Sequence, residues 1–139
     1  MITTAVEPHV ATKTHVLVVD DRPEGLLALE AVLGSENLTL IKANSGREAL
    51  DLALDHDFAV ILLDVQMPDM DGFETAHRIR QNSRSKETPI IFITAINKEI
   101  RHINKGYEAG AVDYIFKPFE PFILKAKVDI FVELFNLFG

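Results

Sequence analysis

Short apolar runs along the chain alternate with stretches whose apolar residues return every three or four positions. The runs lie at 15–20, with Val16-Leu17-Val18-Val19 at the centre, at about 38–43, at 58–63, at 90–94 and at 112–116. Two of them, 60–63 and 90–93, are apolar at nearly every residue, which is the pattern of strands covered on both faces in a parallel sheet. Between the runs, helical spacing predicts helices at about 23–35, 45–56, 72–82 and 97–109, and a last one from about 119. The first of these carries its apolar positions on Leu26, Leu27, Leu29, Ala31, Val32 and Leu33. Ser45 followed by Glu48 gives the second a capping-box start. Five strands separated by five helices form a (βα)5 chain of the α/β class, and right-handed crossovers make its parallel sheet doubly wound. Residues 1–13 are polar and aperiodic and read as a flexible arm, while the polar stretch 81–88 reads as a loop.

Three of the runs end in residues of complementary chemistry: Asp20-Asp21, Asp64 and Lys117-Pro118. In one parallel sheet these groups meet at its carboxyl edge, where open α/β folds place their ligand sites. Carboxylates crowded there repel, by roughly 4 kcal/mol for two unit charges 4 Å apart at an effective dielectric of 20. A hard cation removes that penalty, and Mg²⁺ is usually held by one or two carboxylates, a carbonyl and waters. Acidic residues after strands also serve as plain helix caps, a role that fits Asp21 ahead of Pro23. Lys117 at another strand end favours a cation and phosphoryl site instead. A carboxylate beside Mg²⁺ and an ammonium can attack phosphorus, and Asp64 is the candidate nucleophile. It opens onto the turn-rich loop Val65-Gln66-Met67-Pro68-Asp69-Met70-Asp71-Gly72, whose carbonyls can reach the same metal. Thr94 offers a hydroxyl on the same edge.

Composition narrows the partners. The 139 residues are 47% apolar, enough for one domain with a core. A net charge of −7 argues against direct binding of nucleic acid or of an anionic membrane and points to protein partners. No cysteine is present, so no disulfide framework or thiolate metal site exists. No apolar run approaches the roughly 20 residues of a membrane helix, and residues 1–13 lack the apolar core of a secretory signal. These features lead to the expectation of a soluble, cytoplasmic chain. The five histidines are scattered without ligand spacing, and no Walker-type phosphate loop occurs.

The segments VLVVDD at 16–21, LLDVQMPDMDGFE at 62–74, ITA at 93–95 and DYIFKPF at 113–119 resemble the receiver domains of two-component response regulators, over about residues 14–131. The resemblance implies a flavodoxin-like fold with strand order 2-1-3-4-5. It implies that Asp64 is the phosphoacceptor, supplied by a histidine kinase or a phosphotransfer protein. Asp21 would ligate Mg²⁺ directly, with Mn²⁺ able to replace it, Asp20 would act largely through water, and the Gln66 carbonyl would be a further ligand. Lys117 would pair with the phosphoryl group, its bond to Pro118 being cis, and Thr94 would hydrogen-bond a phosphoryl oxygen. Tyr114 matches the switch aromatic, whose ring moves inward when the threonine is drawn to the phosphate. The surface made by the fourth helix, fifth strand and fifth helix would change in response, and the only catalysis would be self-phosphorylation and self-dephosphorylation. Gln66 and Ala95 occupy positions that bear on the lifetime of the phosphorylated state. An enzyme alternative is a phosphatase of the haloacid dehalogenase type, but such enzymes normally carry a second aspartate where this chain has Gln66. Two further alternatives are the receiver part of a larger signalling enzyme, such as a hybrid histidine kinase, and a degenerate receiver acting by constitutive protein binding.

The last helix carries two apolar stripes. Leu124, Val128, Phe131, Phe135 and Phe138 form one; Ile123, Ile130, Leu134 and Leu137 form the other. The first can cover the sheet, and the second needs a partner. Residues 132–139 read as an extension of the helix leading to a missing downstream region, such as an output domain. This ending is similar to that of receivers that precede further domains in hybrid sensor kinases. A homodimer through Ile130, Leu134 and Leu137 is expected.

Overall fold

The five apolar runs form the strands β1 (Thr14–Val19), β2 (Leu38–Ala43), β3 (Val60–Asp64), β4 (Ile90–Thr94) and β5 (Asp113–Phe116) in a computed structural model that describes residues 13–95, 105, 108, 110, 111 and 113–138. Every pairing is parallel, and the order across the sheet is β2-β1-β3-β4-β5. The helices are α1 (Pro23–Leu33), α2 (Gly46–Asp55), α3 (Gly72–Arg80) and a C-terminal helix, Pro121–Phe138. The helix expected at about 97–109 lies outside the described residues except at Lys105 and Glu108.

Alternation along the strands sends successive side chains to opposite faces. Leu17, Val19, Ile61, Leu63 and Phe92 pack with Ala49 of α2 and with Phe73, Ala76 and Ile79 of α3. Val16, Val18, Leu62, Ile91 and Ile93 pack with Leu29 and Leu33 of α1 and with Leu124 and Val128 of the C-terminal helix. The sheet is covered on both faces, which is why its central strands are apolar throughout. Each large aliphatic side chain removed from water contributes roughly 1.5–3 kcal/mol.

The helix ends show where local chemistry departs from the expected pattern. Ser45 Oγ accepts from the Glu48 N–H at 3.1 Å, as a capping box requires, but Glu48 Oε1 accepts from Asn44 N–H at 2.8 Å, one residue before the cap. At α1 the N-cap is Arg22, with no side-chain cap, and Pro23 opens the helix. The carboxylate that accepts there is Asp20, whose Oδ1 takes the Arg22 N–H at 3.0 Å, and not Asp21. The C-terminal helix starts at Pro121, two residues later than the spacing suggests. A proline is well placed there because it has no N–H for the first turn to leave unsatisfied.

Along that helix Leu124 and Val128 are fully buried, and Phe131 and Val132 pack partly against the same core. Phe138, placed by its spacing on the covering stripe, is 84% exposed instead. Eighteen helical residues span about 27 Å, whereas strands of four to six residues span roughly 20 Å at most, so the helix outruns the sheet it covers. The loop at 81–88 is tied down by Arg80, whose guanidinium donates to the carbonyls of Ser85, Thr88 and Gly110 at 3.2, 2.6 and 2.7 Å. Burial pulls the Arg80 pKa below its usual value.

Candidate functional site

The sheet register builds the site. Val19 pairs with Leu63, so the next residues, Asp20 and Asp64, lie level at the carboxyl edge of β1 and β3. Thr94 pairs with Phe116, and the Thr94 carbonyl accepts from the Lys117 N–H at 2.9 Å, which brings Lys117 to the same edge. Lys117 Nζ lies 3.3 Å from Asp20 Oδ2 and 3.4 Å from Asp64 Oδ2. Asp20, Asp21 and Asp64 each place one carboxylate oxygen within 4.8 Å of the others. Asp20 and Asp64 are buried, at 2% and 5% exposure, while Asp21 is half-buried. The other Asp64 oxygen, Oδ1, accepts from the Gln66 N–H at 3.2 Å.

The electrostatics are unbalanced. Burial pushes the Asp64 carboxyl above the usual carboxylate range, Lys117 draws it back, and the negative charge of Asp20 raises it further. Among the described residues the Lys117 ammonium meets Asp20 and Asp64, Asp21 adds a third carboxylate to the cluster, and oxygen donors at this spacing suit a hard divalent cation of the Mg²⁺ type. The loop after β3 stays close because α3 begins against it. The Gly72 N–H donates to the Val65 carbonyl at 2.9 Å, and a Cβ at Gly72 would come within 2.3 Å of the Asp64 carbonyl oxygen. Asp71 caps α3, its Oδ1 accepting from the Glu74 N–H at 2.8 Å.

Thr94 ends β4 and is buried. Tyr114 is buried on the same sheet face, its ring centroid 5.7 Å from Phe92 and 5.7 Å from the stacked Phe116 ring. The Lys117–Pro118 bond is cis. Gln66 is exposed beside the cluster. Ile130, Leu134 and Leu137 stand apart from this edge on the C-terminal helix, at 55, 45 and 70% exposure. A cavity of about 330 Å³ adjoins the cluster, lined by Asp20, Asp64 and Lys117 with Leu29, Ile93 and Phe119. The reading by spacing passed over two contributors, Gly25 and the Arg22 N–H. A glycine in a leucine-rich helical stretch gave the available signal for the first; a backbone donor leaves none. The Asp71 cap was signalled by Asp-Gly-Phe-Glu, a capping-box spacing.

Residues 16–129 match the response regulator receiver domain family. Transcriptional regulatory protein SrrA of Staphylococcus aureus is 41% identical over 106 residues, which are 76% of this chain and 42% of SrrA. The chain thus spans less than half the length of that relative. Among solved structures, chemotaxis protein CheY4 of Vibrio cholerae superposes with a TM-score of 0.80 at 33% identity, covering 86% of this chain and 98% of CheY4. A putative response regulator from Chloroflexus aurantiacus gives 0.80 at 34%, covering 88% and 99%. The receiver domain of a signal transduction histidine kinase from Syntrophus aciditrophicus gives 0.77 at 26%, covering 86% and 90%.

Proposed function

Because the chain belongs to the family of response regulator receiver domains, we propose that it is a phosphoryl-accepting switch in which Asp64 is the acceptor. The observation that carries this reading is the buried Asp64 carboxylate with Lys117 Nζ at 3.4 Å and two further carboxylates within 4.8 Å. A histidine kinase or phosphotransfer protein supplies the phosphoryl group. An Asp64 oxygen forms the new bond to phosphorus while the bond to the donor imidazole nitrogen breaks, its electron pair remaining on that nitrogen. Mg²⁺, or Mn²⁺ in its place, supplies charge neutralisation for the phosphoryl oxygens when bound. Asp21, Asp64 and the Gln66 carbonyl would hold it, and Asp20 would act through water.

The chain's own residues do the rest. Gln66 N–H fixes one Asp64 oxygen and so orients the other. Lys117, already against Asp64, exchanges carboxylate for phosphoryl oxygen. Thr94 donates its hydroxyl to the phosphoryl group, and the Tyr114 ring, on the same face, settles with it. The phosphoryl group binds one arrangement of this pair better than the other and so shifts their populations. The surface of β5 and the C-terminal helix, together with the helix expected at about 97–109, changes as a result. The C-terminal helix carries the change onward through a homodimer seam at Ile130, Leu134 and Leu137, and to an output domain beyond the receiver. SrrA, of which the chain spans 42%, is named as a transcriptional regulator, which supports an output of that general kind in a longer protein.

Incubating the chain with Mg²⁺ and a small phosphodonor is expected to add one acid-labile phosphoryl group, seen by mass spectrometry, and Asp64→Asn should abolish it. Equal labelling of both proteins would overturn the assignment.

A further inference from the structure

The first turn of α1 contains a glycine where the helix gains nothing from one. Gly25 does not have a positive φ, so its backbone accepts any L-residue, and glycine in a helix costs stability relative to alanine. What excludes a side chain is space. A Cβ at Gly25 would lie 2.0 Å from Asp20 Oδ2 and 2.5 Å from its Cγ. That carboxylate is not free to give way without loss, because Oδ1 accepts from the Arg22 N–H at 3.0 Å and Oδ2 faces Lys117 Nζ at 3.3 Å. Asp20 is 2% exposed, so little solvent stands ready to replace those partners.

We propose that Gly25 is a positioning residue for the acidic cluster: its missing Cβ is the seat into which the Asp20 carboxylate folds against α1, within reach of Lys117 and level with Asp64. The clash that a methyl group creates is with a side chain and not with backbone, so the carboxylate is what must move. Asp20 then leaves the Arg22 N–H and Lys117, and the three-oxygen array loses its geometry. The consequence for Mg²⁺ rests on the phosphoacceptor reading above; the seating of Asp20 does not.

The test compares wild type, Gly25→Ala, Asp20→Ala and the double variant. In metal-free protein, Gly25→Ala should move the Arg22 amide proton upfield and shift the Lys117 side-chain signals, in the same direction as Asp20→Ala. Adding Gly25→Ala to Asp20→Ala should leave both nearly unchanged. Mg²⁺ affinity, followed by amide shifts, should fall about fivefold or more in Gly25→Ala but by less than about twofold when the change is made in the Asp20→Ala background, since residues in contact couple and separated ones add. A Gly25→Ala protein that unfolds while the double variant folds also supports the seat. Unchanged Arg22 and Lys117 signals in Gly25→Ala, or unfolding of the double variant, would overturn it. A wild-type chain that does not respond to Mg²⁺ would refute the phosphoacceptor reading, and the metal-free signals would still decide the role of Gly25.

Discussion

At Asp64 burial and the charge of Asp20 both disfavour the carboxylate, and Lys117 only partly compensates. A carboxyl whose pKa is raised on folding holds more protons in the native than in the unfolded state between the ordinary and raised values. Its penalty is therefore full above the raised pKa and fades as pH falls through that window, disappearing below the ordinary carboxylate pKa. Metal-free Asp64→Asn should melt higher than wild type at pH 7, and the gap should close as the pH is lowered through this window. Thermal melts across pH decide it, and a gap that is absent at pH 7 or widens with acid contradicts the account. At this scale Asp64 and Lys117 were legible because each follows a run of apolar residues, and a polar residue there sits at a sheet edge. Which of Asp20 and Asp21 accepts from the Arg22 N–H was not, because adjacent residues share one strand end and only the α1 backbone selects the oxygen that meets it.

Among the described elements, the C-terminal helix has the surface least accounted for by its own domain. Leu124 and Val128 are at 0% exposure, whereas Ile130, Leu134 and Leu137, spaced by four and three, remain about half or more exposed. This spacing forms a seam of the kind that pairs helices. Sedimentation should show a wild-type dimer and a monomeric Leu134→Glu/Leu137→Glu variant; a wild-type monomer at the same concentration would assign the stripe to another partner. Strands β2 and β4 coincide with their apolar runs, and in β4, buried at every residue, pattern and burial report the same thing. The Arg80 clamp was invisible, since its three acceptors are backbone carbonyls, which every residue has, brought together only by the fold. Phe138 misled for a related reason: periodicity says which way a side chain points but not where the sheet beneath it ends.

For the whole molecule, alternation of runs and helical spacing led to a doubly wound parallel sheet, and the observed order β2-β1-β3-β4-β5 is the one implied by the receiver resemblance. Periodicity alone does not fix strand order; here the resemblance carried by the strand-end motifs implied it. The central claim is that a phosphoryl group at Asp64 is felt at Tyr114 through Thr94. Amide NMR of the Mg²⁺-loaded chain with and without beryllofluoride, a phosphoryl mimic, tests it most directly. Wild type should show shifts at Asp64, Thr94, Lys117 and Tyr114 together, Thr94→Ala should keep those at Asp64 and lose those at Tyr114, and unchanged Tyr114 signals in wild type would contradict the switch.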